Sequence, residues 1–231
     1  MMSGKRWGYV VQFFCLLVFF GMSPFLIKMD GRKTMSVSSD SVRSQNVSDE
    51  VKPVVALTFD DGPNASSTPI LLDGLKERKV RATFFLIGEN VEKDENEKIV
   101  KRMYEEGTYT HCNLSKLETG EAKKELEQTD TVIEKITGKQ PVFVRAPYGE
   151  LPVDSEQDLN RIYIGWTVDP LDWMTEDTGA VVKTVVEEIN PGDVILLHDC
   201  YPSSVQAAIR IVDLLQGKGY EFVTVDHLIM D

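Results

Sequence analysis

Asp60 and Asp61 are two adjacent carboxylates at the end of the apolar run Val54-Val55-Ala56-Leu57-Thr58-Phe59, immediately before Gly62-Pro63. Side by side at the end of a buried strand, two ionised carboxylates repel, and apolar surroundings raise the cost. A bound cation relieves it, as does one shared proton. The plain alternative is a strand running into a polar turn, with both aspartates solvated. Four further stretches argue against that alternative. His111 follows Thr108-Tyr109-Thr110. Arg145 follows Val142-Phe143-Val144 and leads into Ala146-Pro147-Tyr148-Gly149. Asp169 and Asp172 follow Ile164 to Val168, with Trp173 next, and His198 and Asp199 follow Val194 to Leu197. The chain has three histidines, and two of them end apolar strands. Any one of these passes as a structural residue. Strand ends that all bear Asp, His or Arg are hard to explain by chance.

The elements that must position these residues alternate along the chain. After the first strand, Thr68-Pro69 reads as an N-cap with proline at the first helical position, and Leu71, Leu72 and Leu75 form that helix's apolar face. A strand is expected over Ala82–Ile87, a helix over Val91–Glu106, and a helix over Thr119–Thr137 stopped by Gly138. Strands over Val142–Val144 and Arg161–Val168, a helix over Thr178–Asn190 and a strand over Asp193–Leu197 follow. Ser203-x-x-Gln206 reads as a capping box opening a helix, and Gly219–Val225 as the last strand. Repeated strand–helix units imply parallel strands and an α/β fold. A barrel and an open sheet both satisfy the pattern, and both gather ligands at the C-terminal ends of their strands.

The 231 residues suffice for one substantial domain plus an appendage. The formal net charge of −12 argues against nucleic acid as a partner. Residues 1–52 carry +3 of it and the remainder −15. The three cysteines form no C-x-x-C pair. After Lys5 and Arg6, Tyr9–Ile27 is a stretch of 19 residues without a charge. It reads as a membrane anchor or a secretory signal peptide over residues 1–28, with the rest of the chain outside the cytoplasm. Residues 29–52, rich in Ser, Val and charge, read as a linker, and 53–231 as the folded domain.

Thr58-Phe59-Asp60-Asp61-Gly62-Pro63 opens an ordered series of motifs. It continues with Thr108-Tyr109-Thr110-His111 and Asn113-Leu114-Ser115, then Arg145-Ala146-Pro147-Tyr148-Gly149, Asp169-Pro170-Leu171-Asp172-Trp173, and Leu196-Leu197-His198. Together they resemble the polysaccharide deacetylases, the NodB-type domain of carbohydrate esterase family 4. The resemblance implies a distorted (β/α) barrel that removes acetyl groups from N-acetylated sugars, with peptidoglycan or a chitin-like polymer as partner. It implies one divalent metal, usually zinc, with Asp61 and His111 as ligands and Asp60 as general base. It makes His198 the general acid, oriented by Asp172. Arg145 orients Asp60 and keeps it ionised, the backbone N–H of Tyr148 faces the oxyanion, and Trp173 and Leu196 wall the acetyl pocket.

One departure stands out. The family's second motif usually reads G-H-E-[IV]-G-N-H-[ST]-x-x-H, whereas here Glu105-Glu106-Gly107 runs directly into Thr108-Tyr109-Thr110-His111. About six residues are missing by that spacing, and Gly107 falls where the first metal histidine belongs. The expectation is a barrel left incomplete at this strand, or an unwound end of the preceding helix filling the place. His227 and Glu105 or Glu106 are weak substitutes as ligands. Cys112 and Cys200 flank the two site histidines, either as a disulfide or as separate thiols. Two function classes follow: a deacetylase, or a non-catalytic relative that binds glycan or serves the wall structurally. An aspartyl-phosphate phosphatase built on Asp60 leaves the other motifs without a part.

Overall fold

The structure, a computed structural model, describes residues 52–106, 109–113, 119–149 and 161–230. The expected anchor and, apart from Lys52, the expected linker lie outside the described residues. In chain order the elements are β1 (Val54–Gly62), α1 (Thr68–Glu77), β2 (Thr83–Leu86), α2 (Gly88–Val91), α3 (Glu97–Glu105), β3 (Tyr109–Asn113) and α4 (Thr119–Thr137). They continue with β4 (Phe143–Arg145), β5 (Ile162–Tyr163), α5 (Thr178–Glu188), β6 (Val194–His198), α6 (Pro202–Gly217), β7 (Glu221–Val223) and α7 (Val225–Met230).

All strand pairings are parallel, as the alternation predicts, in the order β5-β4-β3-β2-β1-β6, with β7 pairing the first residues of β1. The two edges of this sheet are joined by one stretch of chain. Ile162 and Ile164 donate to Val142 O (2.9 Å) and Val144 O (2.8 Å) on β4. A few residues on, Thr167 N donates to Val194 O (2.9 Å), and Val168 O accepts from Leu196 N (3.0 Å) on β6. The strand expected over Arg161–Val168 therefore serves both edges. It forms a regular ladder only at Ile162–Tyr163, because it must cross between neighbours.

β1 is buried on both sides, which is what a continuous apolar run in a parallel sheet requires. Val55, Leu57 and Phe59 face the helices in the main core with Leu71, Val100, Ile195 and Ile211, and Phe59 stacks on Phe84 with ring centroids 5.1 Å apart. The other face carries Thr58 and Asp60 beside a small apolar cluster of Ala56, Phe85, Phe143 and Val225. Because side chains alternate along a strand, the functional residues share this second face.

Several expectations are corrected. The Val91–Glu106 helix is interrupted between α2 and α3. The buried side chain of Asn96 donates to Asn90 O (2.8 Å) and Pro63 O (3.2 Å), fixing a turn there. Helix α1 begins at Thr68, so Thr68 is not its N-cap, and α6 is entered from Tyr201 without a side-chain cap, so Ser203 lies inside the helix. The place next to β2 is neither empty nor filled by an unwound helix. α3 ends with Glu106 N bonded to Arg102 O, and Tyr109–Asn113 itself forms β3, paired with β2 on one side and β4 on the other. His111 thus lies within a strand rather than past its end. Gly107 lies outside the described residues.

Candidate active site

Asp60 pairs in register with Phe85, and Gly62 with Leu86, so Asp61 is an extra residue in β1 with φ at 67°. This is a bulge. In an uninterrupted strand Asp60 and Asp61 would point to opposite faces; the bulge brings both to one rim. Asp61 is half-exposed there, its Oδ2 3.9 Å from His198 Nε2. Across the other edge, Asp60 is in register with His198.

Asp60 is buried, and so is its partner Arg145 on β4. Arg145 Nη1 donates to Asp60 Oδ1 and to Thr58 Oγ1, both at 2.8 Å. Nη2 donates to Gly165 O (2.9 Å) and Nε to Ile164 O (3.2 Å), both on the stretch that joins the sheet edges. The guanidinium lies 4.0 Å from the centre of the Phe85 ring. Burial pushes the Asp60 carboxyl up to about 6, and the charge and hydrogen bond of Arg145 only partly offset it. Arg145 and Asp60 thus form a buried ion pair, the contact through which the family resemblance has Arg145 orient Asp60. Desolvation outweighs the cation, so the carboxyl sits above the ordinary carboxylate range despite its buried partner. Thr58, two residues before Asp60 and therefore on its face, takes part unforeseen. Its hydroxyl donates to Ile195 O (2.7 Å) while accepting from Arg145.

His198 ends β6. Its Nδ1 lies 2.8 Å from Asp172 Oδ1, and its backbone N–H donates to Asp172 Oδ2 at 2.8 Å. A carboxylate that accepts on both oxygens fixes the proton on Nδ1 and turns Nε2 toward the rim. Burial disfavours the imidazolium, but the hydrogen bond and charge of Asp172, with the charges of Asp60 and Asp61, together more than compensate, and the pKa is raised. Asp172 is itself buried, in the 3-10 turn Asp172–Met174. That turn follows Leu171, held at φ 54° with its N–H on Asp169 Oδ1 (2.9 Å).

Asp199, next to His198, holds the loop after Asp61. Its carboxylate accepts from Thr68 Oγ1 and its carbonyl from Ser67 Oγ, each at 2.5 Å. It packs so close to Gly62 that a Cβ there would meet both carboxylate oxygens at 2.4 Å. Among the described residues Oδ1 has no hydrogen-bond partner, and burial pushes the acid up to about 7. The pairing of His198 with Asp199 at one strand end was visible in the sequence, but its reach back to Gly62 and Thr68 was not. Cys200 is a free thiol that burial pushes up to about 12.

The remaining expected residues fall as follows. Leu196, buried, shares the face of His198 and is in register with Thr58. Trp173 is 52 % exposed beside Asp172. Tyr148 lies in a turn after β4 with φ 58°. The backbone of His111 is in register with Phe85, which puts it in one row with Asp60 across the sheet. Its side chain lies outside the described residues. Among the described residues no three Asp, Glu, His or Cys side chains group as a metal site. The donor types still suit a divalent ion. A half-exposed carboxylate stands at the rim, with a histidine backbone in the neighbouring strand row, and carboxylate plus imidazole is a donor set for zinc and cobalt.

A family profile described as polysaccharide deacetylase matches residues 48–164. The chain belongs to the polysaccharide deacetylase family. Within that family it is 39% identical over 190 residues to a peptidoglycan-N-acetylglucosamine deacetylase of Bacillus cereus, covering 77% of this chain and 68% of the relative. It is 37% identical over 194 residues to the peptidoglycan-N-acetylmuramic acid deacetylase PdaC of Bacillus subtilis, covering 81% of this chain but only 41% of that longer protein. The solved structure of PdaC superposes with a TM-score of 0.73 at 36% identity, over 77% of this chain and 90% of that one. A family 4 acetyl xylan esterase from Clostridium thermocellum, solved with a cobalt ion, superposes with a TM-score of 0.71 at 30% identity over 77% of this chain and 90% of that one.

Proposed function

We propose that this polysaccharide deacetylase hydrolyses the acetamide of N-acetylated sugars in peptidoglycan, releasing acetate and leaving a free amine on the glycan. The observation that carries the reading is the paired acid–base arrangement in one register row of β1 and β6. Asp60, at about 6, and His198, raised above its ordinary value by Asp172, stand on either side of a rim that also holds Asp61. Above about pH 6 Asp60 is free to take a proton from the attacking water. His198, whose imidazolium form is favoured beyond that of an ordinary histidine, delivers its proton from Nε2 to the departing sugar amine. Arg145 holds Asp60 in position, and Asp172 fixes the tautomer of His198. The backbone N–H of Tyr148 meets the carbonyl oxygen as it becomes an anion, while Trp173 and Leu196 enclose the acetyl methyl.

Asp61 and His111 are the residues that would hold one divalent cation, zinc by the family resemblance. The cobalt ion in the Clostridium thermocellum relative supports a divalent site. Such an ion, when bound, lowers the pKa of its water and polarises the amide carbonyl. With residues 1–28 as anchor and 29–52 as linker, the domain from 53 onward works outside the cytoplasm against the wall.

The test is calorimetric titration of zinc into the full chain, with acetate release measured from N-acetylglucosamine oligomers. Stoichiometric zinc binding with release supports the reading. An intact fold that binds no zinc at millimolar metal and releases no acetate overturns it in favour of a glycan-binding relative.

A further inference from the structure

Two aromatic rings stand beside the Arg145 guanidinium. Phe85 is one, at 4.0 Å. The other is Trp166, whose ring centre lies 5.7 Å from Cζ, within the roughly 6 Å over which a ring attracts a cation. Trp166 belongs to the stretch that joins the two sheet edges. The residue before it, Gly165, gives its carbonyl to Arg145 Nη2 (2.9 Å), and the residue after it, Thr167, donates its N–H to Val194 O (2.9 Å). The backbone is therefore held on both sides of Trp166, and the half-buried indole projects from a fixed base.

The far edge of the same indole reaches the turn after β4. A Cβ on Gly149 would meet Trp166 Cη2 at 3.2 Å, Cζ3 at 3.7 Å and Cζ2 at 3.8 Å. The six-membered ring thus occupies the place where a side chain at position 149 would stand. The φ of 72° at Gly149 also suits glycine. Gly149 N–H donates to Ala146 O at 3.0 Å and closes the turn, whose middle residue is Tyr148 at φ 58°. A residue with a side chain keeps such a conformation only where its surroundings hold it. The indole against Gly149 is one such hold.

We infer that Trp166 is a positioning residue for deacetylation: one side chain braces both the counter-ion of Asp60 and the turn that presents the Tyr148 N–H. The inference rests on the deacetylase reading, in which Asp60 directs water onto the acetyl carbonyl and Tyr148 N–H receives its oxygen. These two groups lie on different strands, β1 and the end of β4, yet they act on one carbon–oxygen bond. A misplacement of about 1 Å between them is enough to cost about 10²-fold in rate. Trp166 spans the distance between them.

The test compares the full chain with Trp166→Ala and Trp166→Phe. The readouts are kcat and KM for acetate release from the N-acetylglucosamine pentamer, proton exchange at Gly149 N–H and Arg145 Nε–H by NMR, and the folded fraction by circular dichroism. Trp166→Ala is expected to lower kcat about thirtyfold with KM changed less than about twofold, because the loss falls on the transition state. Exchange at both Gly149 and Arg145 speeds up. Phenylalanine is shorter than the indole, so Trp166→Phe keeps a ring near Arg145 but falls short of Gly149. It is expected to lose most of the same kcat, with fast exchange at Gly149 and near-normal exchange at Arg145. Unchanged Gly149 exchange in both variants overturns the inference. So does full kcat in Trp166→Phe while Gly149 exchanges fast, or a fall in kcat no larger than the fall in folded fraction. Should Trp166→Ala fail to fold, Trp166→Phe carries the test alone. If the unsubstituted chain releases no acetate, the deacetylase reading fails, and the exchange rates still decide whether Trp166 holds the turn and the guanidinium.

Discussion

Replacing Arg145 by Met isolates what the buried ion pair does. Methionine keeps most of the side-chain volume and the contact with Phe85 but removes the donors to Asp60, Thr58, Ile164 O and Gly165 O. Asp60 is then a buried carboxylate without its counter-ion, and breaking such a pair costs about 3–5 kcal/mol. Against a total stability of about 5–15 kcal/mol the variant folds with little margin. The loss must depend on pH. Asp60 already holds its proton more tightly folded, at about 6, than unfolded, at 3.8. A carboxyl raised in this way contributes stability that is present at low pH and lost as pH rises through its folded pKa. Removing the cation raises the folded pKa further, so the cost of Arg145→Met is small near pH 4 and grows toward pH 8. Urea unfolding followed by tryptophan fluorescence at pH 5 and pH 8 measures both. Equal costs at the two pH values would mean that Arg145 acts by packing alone. A cost below about 1 kcal/mol at pH 8 would refute the buried-pair argument.

Asp199 behaves like Asp60 but titrates higher, at about 7. Stability of the unsubstituted domain therefore falls as pH rises from 4 to 7, and Asp199→Asn flattens the upper part of that curve in urea titrations. Gly62→Ala drives a Cβ to 2.4 Å from the Asp199 carboxylate oxygens, an overpacking that costs about 1–3 kcal/mol. In an Asp199→Ala background the same change costs much less, and an unfolding double-mutant cycle reads the difference. Asp172→Asn withdraws the partner that raises the His198 pKa, so the imidazole titration followed by NMR moves to lower pH.

Much of the site was legible because buried strands announce themselves as apolar runs, and the reactive residues sit where those runs stop. Asp60, Arg145, Asp172 and His198 were read in this way, and their geometry follows from parallel strands ending on one side. What escaped the reading depends on register and on contacts far apart in the chain. No pattern in Thr58-Phe59-Asp60-Asp61 reveals the bulge that puts both aspartates on one rim. Asp199 reaches Thr68, 131 positions away, and only the pairing of β6 with β1 brings them together. Counting residues against a family motif suggested a vacant strand. The chain instead places Tyr109–Asn113 there, because unpaired backbone on both β2 and β4 costs more than a shift in what the motif residues build. Arg161–Val168 looked like an ordinary strand, since nothing local shows that its two ends serve different neighbours.

That crossing stretch has a mechanical consequence. It is the clasp of a hoop, and its carbonyls at Ile164 and Gly165 are also the hooks on which Arg145 hangs. Springing the clasp would release the counter-ion of Asp60 in the same movement. The amides of Thr167 and Leu196, which lock it, should therefore exchange with solvent in step with loss of catalytic geometry, long before the helices on the outside let go.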